Sequence, residues 1–204
     1  FENRKVLNNS ELHDAYKNQP LLWTKNNHRV SPDDCIVDDK VVMTVDLNKK
    51  IVGYAAKRSH MPINLRNIHH YNCKDFFNPI YKSSNFVYLE KDHFYIFSTC
   101  EKIVVPNNLA CEMMAYDPTA GEFRSHYAGF FDPGWGIIDR IQEGREAVLE
   151  IRSHENDFII RHGQPICAMV YEELTGPSGM LYGQLDNNYA DQKGLMLSKH
   201  FKNN

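Results

Sequence analysis

Two acids stand where a packed β chain does not ordinarily carry them. Glu150 interrupts the apolar run from Ala147 to Ile151 (AVLEI), and Asp132 opens the turn Asp132-Pro133-Gly134-Trp135. A carboxylate inside an apolar strand is costly unless it is paired, neutral or used. The chemistry open to Glu150 is proton transfer, taking a proton from water and returning it to a leaving group. The competing reading is a carboxylate facing solvent on an edge strand, paired with Arg152 or Arg145. Alternation partly supports it, because Val148, Glu150 and Arg152 share one face while Leu149 and Ile151 share the other. The polar face of a strand in a small barrel also lines clefts, so both readings stand. Asp132 precedes Pro133, which biases it to an extended conformation. It either initiates the turn or accepts a hydrogen bond from a substrate hydroxyl. Gly134 supplies backbone freedom, and Trp135 reads as the anchor of the turn in the core. Tyr182, Tyr189 and Gln192 either pack or close over an aromatic or sugar-like ligand. Arg124 and His126 read as surface residues or members of a site.

Other chemistries are disfavoured by what the chain lacks. There is no GxGxxG, no GxxxxGK[ST] and no GxSxG. The zinc-deaminase pattern of HxE followed by PCxxC is missing too, so any hydrolysis here is expected to run without catalytic zinc. The five cysteines are scattered with no CxxC pair, which favours reduced thiols in a cytoplasm. His69-His70 has no third ligand at a helpful spacing, so no metal site is expected. A net charge of −3 argues against broad nucleic-acid binding while leaving room for a small anionic ligand. No apolar stretch approaches the ~20 residues of a membrane span, and no basic-then-apolar leader is visible. Opening on Phe1, the sequence reads as an excised or processed part of something longer.

The elements that must position these residues are mainly β. Residues 1–39 read as a lead-in with one short helix, N-capped by Ser10, with Leu12 and Tyr16 on one face and Pro20 as its stop. Residues 40–175 form the β domain. Val41 to Leu47 and Ile51 to Ala56 are hairpin-like strands, and residues 59–85 a long His- and Asn-rich connection. Phe86 to Glu90, Phe94 to Pro106 and Leu109 to Tyr116 follow, then Phe158 to Ile160, the turn at His162-Gly163-Gln164, and Ile166 to Tyr171. Many short strands with regular turns predict a barrel or sandwich and not a parallel α/β sheet. Residues 176–204, polar with spaced aromatics, read as an arm that orders over something.

The run DPGWG, then REAVLE, HGQPICAMVYEEL and NNYADQKGLMLSKHF resembles the dCTP deaminases of the trimeric dUTPase superfamily. The likeness is greatest to the C-terminal lobe of the two-lobed alphaproteobacterial type, whose HYAGFFDPG and GLKLSKHF are matched at His126 to Gly134 and Gly194 to Phe201. TVDLNKKIVGYAAKR (Thr44 to Arg58) looks like the first family motif, so the resemblance spans about residues 41 to 201. It implies a distorted jelly-roll, dUTPase-like β-barrel whose active sites form between lobes. It also implies deamination of dCTP to dUTP without zinc, with Mg²⁺ bound through the substrate triphosphate. Carried over by motif, Glu150 is the catalytic carboxylate and Asp132 holds the deoxyribose hydroxyl. Ala128 faces the base through its backbone, while Tyr182, Tyr189 and Gln192 belong to the closing arm.

One departure bears on completeness. The family's Arg-Ser-Ser run is replaced by Met113 to Gly121 (MMAYDPTAG), so the phosphate-cradling hydroxyls and a cation are missing. In the resemblance, a KSSxGR run on a missing N-terminal lobe supplies them, with homo-oligomer neighbours completing the assembly. The alternatives are dUTP diphosphatase activity, both steps on one protein, or a non-catalytic lobe that completes a partner's site or binds dTTP as a regulator. Partners expected are therefore dCTP or dUTP, with no nucleic acid and no membrane.

Overall fold

The computed structural model describes residues 5–116, 123–125, 129–138, 141–153, 156–176, 178–184 and 194–202. In chain order the strands are β1 (Lys5–Val6), β2 (Leu22–Trp23), β3 (Ile36–Val37), β4 (Lys40–Thr44), β5 (Ile51–Ala56), β6 (Phe77–Tyr81), β7 (Phe86–Leu89) and β8 (Phe94–Ile103). They continue as β9 (Leu109–Ala115), β10 (Phe123–Ser125), β11 (Gly129–Phe131), β12 (Ile137–Ile138), β13 (Ile141–Gln142), β14 (Arg145–Ser153), β15 (Phe158–Arg161) and β16 (Pro165–Glu173). The helices are α1 (Asn9–Asn18) and α2 (Pro32–Cys35), with a 3₁₀ turn at Cys73–Asp75. The chain is mainly β with a short N-terminal helix, as its pattern predicts.

Two six-stranded antiparallel sheets pack face to face. One runs β11-β9-β16-β4-β3, with β1 also on β16; the other runs β10-β14-β8-β5-β6, with β2 on β8. Alternate residues of each strand meet in one core: Met113, Met169 and Met43 from the first sheet, Leu149, Ile151 and Phe97 from the second. Burying such side chains stabilises the fold by about 1.5–3 kcal/mol each. The sheets join at one corner, where the chain after β4 crosses to β8: Val45 bridges Thr99, and the Asp46 N–H donates to the Ser98 carbonyl at 2.9 Å. The described strands thus form a sandwich and close no barrel.

Three local features depart from the sequence reading. The cap of α1 is Asn8, not Ser10: its Oδ1 accepts the Glu11 N–H and its own N–H donates to Glu11 Oε2, both at 3.0 Å. This reciprocal pair starts the helix two residues earlier than a lone serine would. The segment up to residue 39 is built into both sheets, since β1 pairs with β16 and β2 with β8 while Leu12 and Tyr16 enter the core. The 59–85 connection contains β6, a strand obscured by Pro79. Proline cannot donate to a ladder, but β6 lies at a sheet edge, where that costs little.

A second, smaller core forms outside the sandwich. Cys73, Phe76 and Phe201 are buried together, with Tyr71, Phe77 and Leu197 packed against them. The Phe201 ring lies 5.5 Å from both the Phe76 and Phe77 rings, edge-on. The end of the arm is therefore seated on the long connection.

Candidate active site

Strand alternation decides where Glu150 points. In β14, Ala147, Leu149 and Ile151 are fully buried, while Val148, Glu150 and Arg152 face outward and Glu150 is exposed. Its cross-strand neighbour is Ile96 of β8, followed by Tyr54 of β5, whose ring meets Phe77 edge-on at 6.3 Å. Of the two readings the sequence leaves open, the outward one is found: its neighbours in sequence are buried and Glu150 is exposed, because a period of two sends them to opposite faces.

The same outward row carries other charges. Arg152 stands two residues on, about 7 Å along the strand, with its Nε sealed from water and without an acceptor. In register it lies opposite Arg124 of β10. The fold keeps Arg152 on the face of Glu150, as alternation predicts, and brings Arg124 to the adjoining strand position.

At the other end of the row, Glu146 reaches the arm. Its Oε2 accepts the Gly194 N–H at 3.1 Å, and its Oε1 lies 3.6 Å from Lys49 Nζ. Lys49 also donates to Ser98 Oγ at 3.0 Å and lies 3.3 Å from Asp46 Oδ2. Asp46 itself is 0% exposed and holds Lys25 in a direct ion pair while accepting the Asn48 N–H at 2.9 Å. Burial pushes its carboxyl up, but the Lys25 and Asn48 hydrogen bonds and the two ammonium charges outweigh it and hold it below the usual carboxylate range. The sequence reading missed this network. The signal was present, because an acid between Val45 and Leu47 is the same anomaly that singled out Glu150.

Beside Asp46, ligand atoms of Asp46, Cys100 and His162 lie within 4.8 Å of one another, which invites a metal. The donors do not fit one. His162 Nδ1 accepts the Leu47 N–H at 3.2 Å, so its lone pair is committed. The Cys100 thiol donates to the Val45 carbonyl at 3.2 Å, and burial raises its pKa. Asp46 is already balanced by two lysines. A divalent cation would have to displace all three arrangements.

Asp132 is exposed at the end of β11, the edge strand of the other sheet, and its carbonyl accepts the Trp135 N–H at 3.1 Å. Two glycines make the turn possible. Gly134 has φ of 93°, and a Cβ there would lie 2.6 Å from Leu181 Cβ; Gly136 has φ of 78°, and its Cβ would collide with the Ile103 carbonyl. Trp135 is the core anchor its position predicts, packed on Phe131 at 5.0 Å between ring centres. Tyr182 packs on that indole at 4.9 Å, and its N–H donates to the Pro133 carbonyl at 2.8 Å. Ala128, Tyr189, Gln192 and His126 lie outside the described residues.

The arm is therefore held on both sides of that undescribed stretch. Tyr182 seats one side on the Asp132 turn; Gly194 and the tail seat the other. His69 and His70 donate their N–H groups to the Lys199 and His200 carbonyls at 2.9 and 3.0 Å, and Lys202 donates to Tyr71 at 2.8 Å. The paired histidines serve as a backbone dock for the tail.

Comparisons with known proteins agree with this architecture. The family model of the 2'-deoxycytidine 5'-triphosphate deaminase (DCD), C-terminal domain, matches residues 8–201. Among solved structures, the chain is similar to the 2'-deoxycytidine 5'-triphosphate deaminase from Agrobacterium tumefaciens, with 32% sequence identity and a TM-score of 0.72. That match covers 85% of this chain and 50% of the other, so the chain spans half the length of that relative. A Staphylococcus bacteriophage 80alpha dUTPase matches at 10% identity and a TM-score of 0.35, over 72% of this chain and 93% of its own, a likeness too slight to carry an argument. Among curated proteins, none matches the chain. With its family's model matched from residue 8 to residue 201, the chain belongs to the 2'-deoxycytidine 5'-triphosphate deaminase family, as the C-terminal domain.

Proposed function

We propose that this chain is the proton-transferring half of an enzyme that hydrolyses dCTP to dUTP and ammonia. The observation that carries the reading is Glu150: a carboxylate presented outward from a strand whose intervening residues are fully buried. Such a strand holds its side chains in place, as acid–base work requires. The arm supports the same reading, because Gly194 is bonded to Glu146, four residues before Glu150 on the same face.

In this scheme Glu150 takes a proton from water as the oxygen attacks C4 of the cytosine. It passes that proton to N3, then takes a second one from the new C4 hydroxyl and gives it to the exocyclic amine, which leaves as ammonia as the C4 carbonyl forms. General acid–base help of this kind is worth about 10²–10⁴-fold. Asp132 accepts a hydrogen bond from the deoxyribose hydroxyl, and the Ala128 backbone faces the base. Tyr182, Tyr189 and Gln192 belong to the closing arm, with Tyr182 as its fixed end. Mg²⁺ arrives with the triphosphate, and no zinc takes part. A companion lobe and neighbouring copies supply the phosphate-binding hydroxyls and the wall that buries Glu150, so the lone chain is a weak catalyst. The substrate pool is cytoplasmic.

The exposure of Glu150 favours one second reading, a lobe that binds nucleotide or completes a partner's site without turnover. The test is incubation of the protein joined to its companion half with dCTP and Mg²⁺, followed by separation of products. dUTP with ammonia supports deamination, whereas dUMP with pyrophosphate points to dUTP diphosphatase or to both steps. No product under any condition leaves the binding role. Full activity of the lone 204-residue chain would overturn the need for a companion.

A further inference from the structure

Five polar or charged side chains are buried in the described part of the chain: Asp46, Ser98, Thr99, Arg145 and Ser153. Four of them are satisfied. Asp46 has two lysines and a backbone N–H, and Ser98 accepts from Lys49. The Thr99 hydroxyl donates to the Glu101 carbonyl at 2.8 Å and accepts the Ala147 N–H at 3.0 Å, while Ser153 donates to the Asn156 carbonyl. Arg145 is the exception. It is 8% exposed, its Nε is sealed without an acceptor, and no carboxylate or carbonyl among the described residues pairs with its guanidinium.

Its position is fixed by the same alternation that sets Glu150. Arg145 opens β14 on the face of Ala147 and Leu149, opposite Ile103 of β8, which in turn lies opposite Leu22 of β2. The side chain therefore leaves the strand on its inner face at one end of the sandwich, away from the outward row of Glu146, Glu150 and Arg152. A buried cation with no counter-charge destabilises the fold that holds it.

A second observation comes from the turn that closes on this end. The Trp135 Nε1 is also buried without an acceptor. Trp135 accepts the Val105 N–H at 2.9 Å through its carbonyl, and the Gly144 N–H donates to Gly136 at 2.9 Å, so the turn and the start of β14 are tied together. A Cβ on Gly136 would lie 3.3 Å from the Arg145 backbone nitrogen, so the turn lies against the start of β14. Guanidinium and indole are both donors with no acceptor capacity. Among the described residues, neither the Arg145 Nε nor the Trp135 Nε1 has an acceptor.

We propose that Arg145 is an anion-binding residue and that the end of the sandwich beneath the Asp132 turn receives a phosphate-type oxyanion. The planar fork of an arginine binds such groups through two parallel hydrogen bonds. Phosphate also offers more acceptor oxygens than a carboxylate, enough to engage a second donor from the turn. An occupied site would stiffen the turn and with it the position of Asp132. The site is independent of Glu150 and does not rest on the deamination reading.

Thermal unfolding of the 204-residue chain tests it, in chloride, in sodium phosphate at equal ionic strength, and in dCTP with Mg²⁺. The expected result is a rise of about 5–10 °C at a hundredfold excess over Kd. Arg145→Met, freed of the unpaired charge, melts at or above the wild type in chloride and loses the rise. Arg145→Lys keeps a reduced rise, and decides the matter if the methionine variant does not fold. Arg152→Met keeps the full rise in phosphate. A response to phosphate alone identifies a free anion; a response to nucleotide alone identifies a phosphate carried on it. The proposal is overturned if neither ligand shifts the wild type, if the Arg145 variants respond as the wild type does, or if the response follows Arg152.

Discussion

Asp46 and Glu150 interrupt apolar strand sequences in the same way and end in opposite circumstances. Asp46, in TVDL, is fully buried at the corner where the sheets join, ringed by Lys25, Lys49 and the Asn48 N–H. Glu150, in VLEI, is exposed on the outward face of the second sheet. One acid is spent on holding the corner of the fold; the other is presented to whatever covers the sheet. The difference teaches that an acid in an apolar run signals a constraint without saying which kind. Position within the pleat, and the cations that tertiary contacts bring near, decide between structure and chemistry.

The comparison breaks most sharply at Glu150. Glu150→Gln should lower dCTP deamination by the assembled enzyme about 10²–10⁴-fold, while stability changes by less than about 0.5 kcal/mol, as at other exposed positions. Retained turnover would remove Glu150 from the proton-transfer role, and a large stability loss would make it a second Asp46. The converse holds for Asp46→Asn, which leaves two lysines without their counter-charge. It should cost about 3 kcal/mol, the low end for breaking a buried pair because both lysines still reach water, and lower Tm by roughly 6–12 °C. Calorimetry of the variant checks it, and an unchanged Tm would refute the structural assignment.

A smaller effect on melting should appear where the tail docks. Phe201→Ala removes the centre of the satellite core, so it should cost about 3 kcal/mol of local stability with little change in global melting. Hydrogen exchange at the Tyr71 and Lys202 amides should then run roughly a hundredfold faster. Unchanged exchange would mean the tail is held by backbone bonds alone. The smallest effect is with pH. Because the Asp46 carboxyl is held below its unfolded value of 3.8, its contribution is fully present above that value and is lost as pH falls through the lower folded value. Wild type should therefore lose stability more steeply than Asp46→Asn on acidification below about pH 4. Parallel curves would contradict the ion-pair account.

Much of the fold was legible because period-two patterning reports burial directly: Leu149 and Ile151 against Glu150 and Arg152 is the arrangement found. The helix was legible too, from Leu12 and Tyr16, although its cap was misplaced because Asn8 and Glu11 form a reciprocal pair that a single serine signal hides. β6 was missed because Pro79 reads as a strand breaker until the strand is known to be an edge. Glu150 was found by its anomaly, and Asp46, with the same anomaly, was not weighed. The lysines that balance Asp46 lie 21 residues upstream and only three downstream, and nothing in the local pattern joins Lys25 to it.

What the sequence by itself determined is the β character, the core face of each strand, the Asp132 turn with its two glycines, and the family motifs. These are local properties, set by backbone dihedrals and by alternation over a few residues. The tertiary structure alone decided that Asp46 is paired with two lysines, that Arg145 is buried without a counter-charge among the described residues, and that Phe201 is seated on the 59–85 connection. Each of those depends on groups brought together from distant parts of the chain, where solvent exclusion and charge pairing, not local propensity, set the energy.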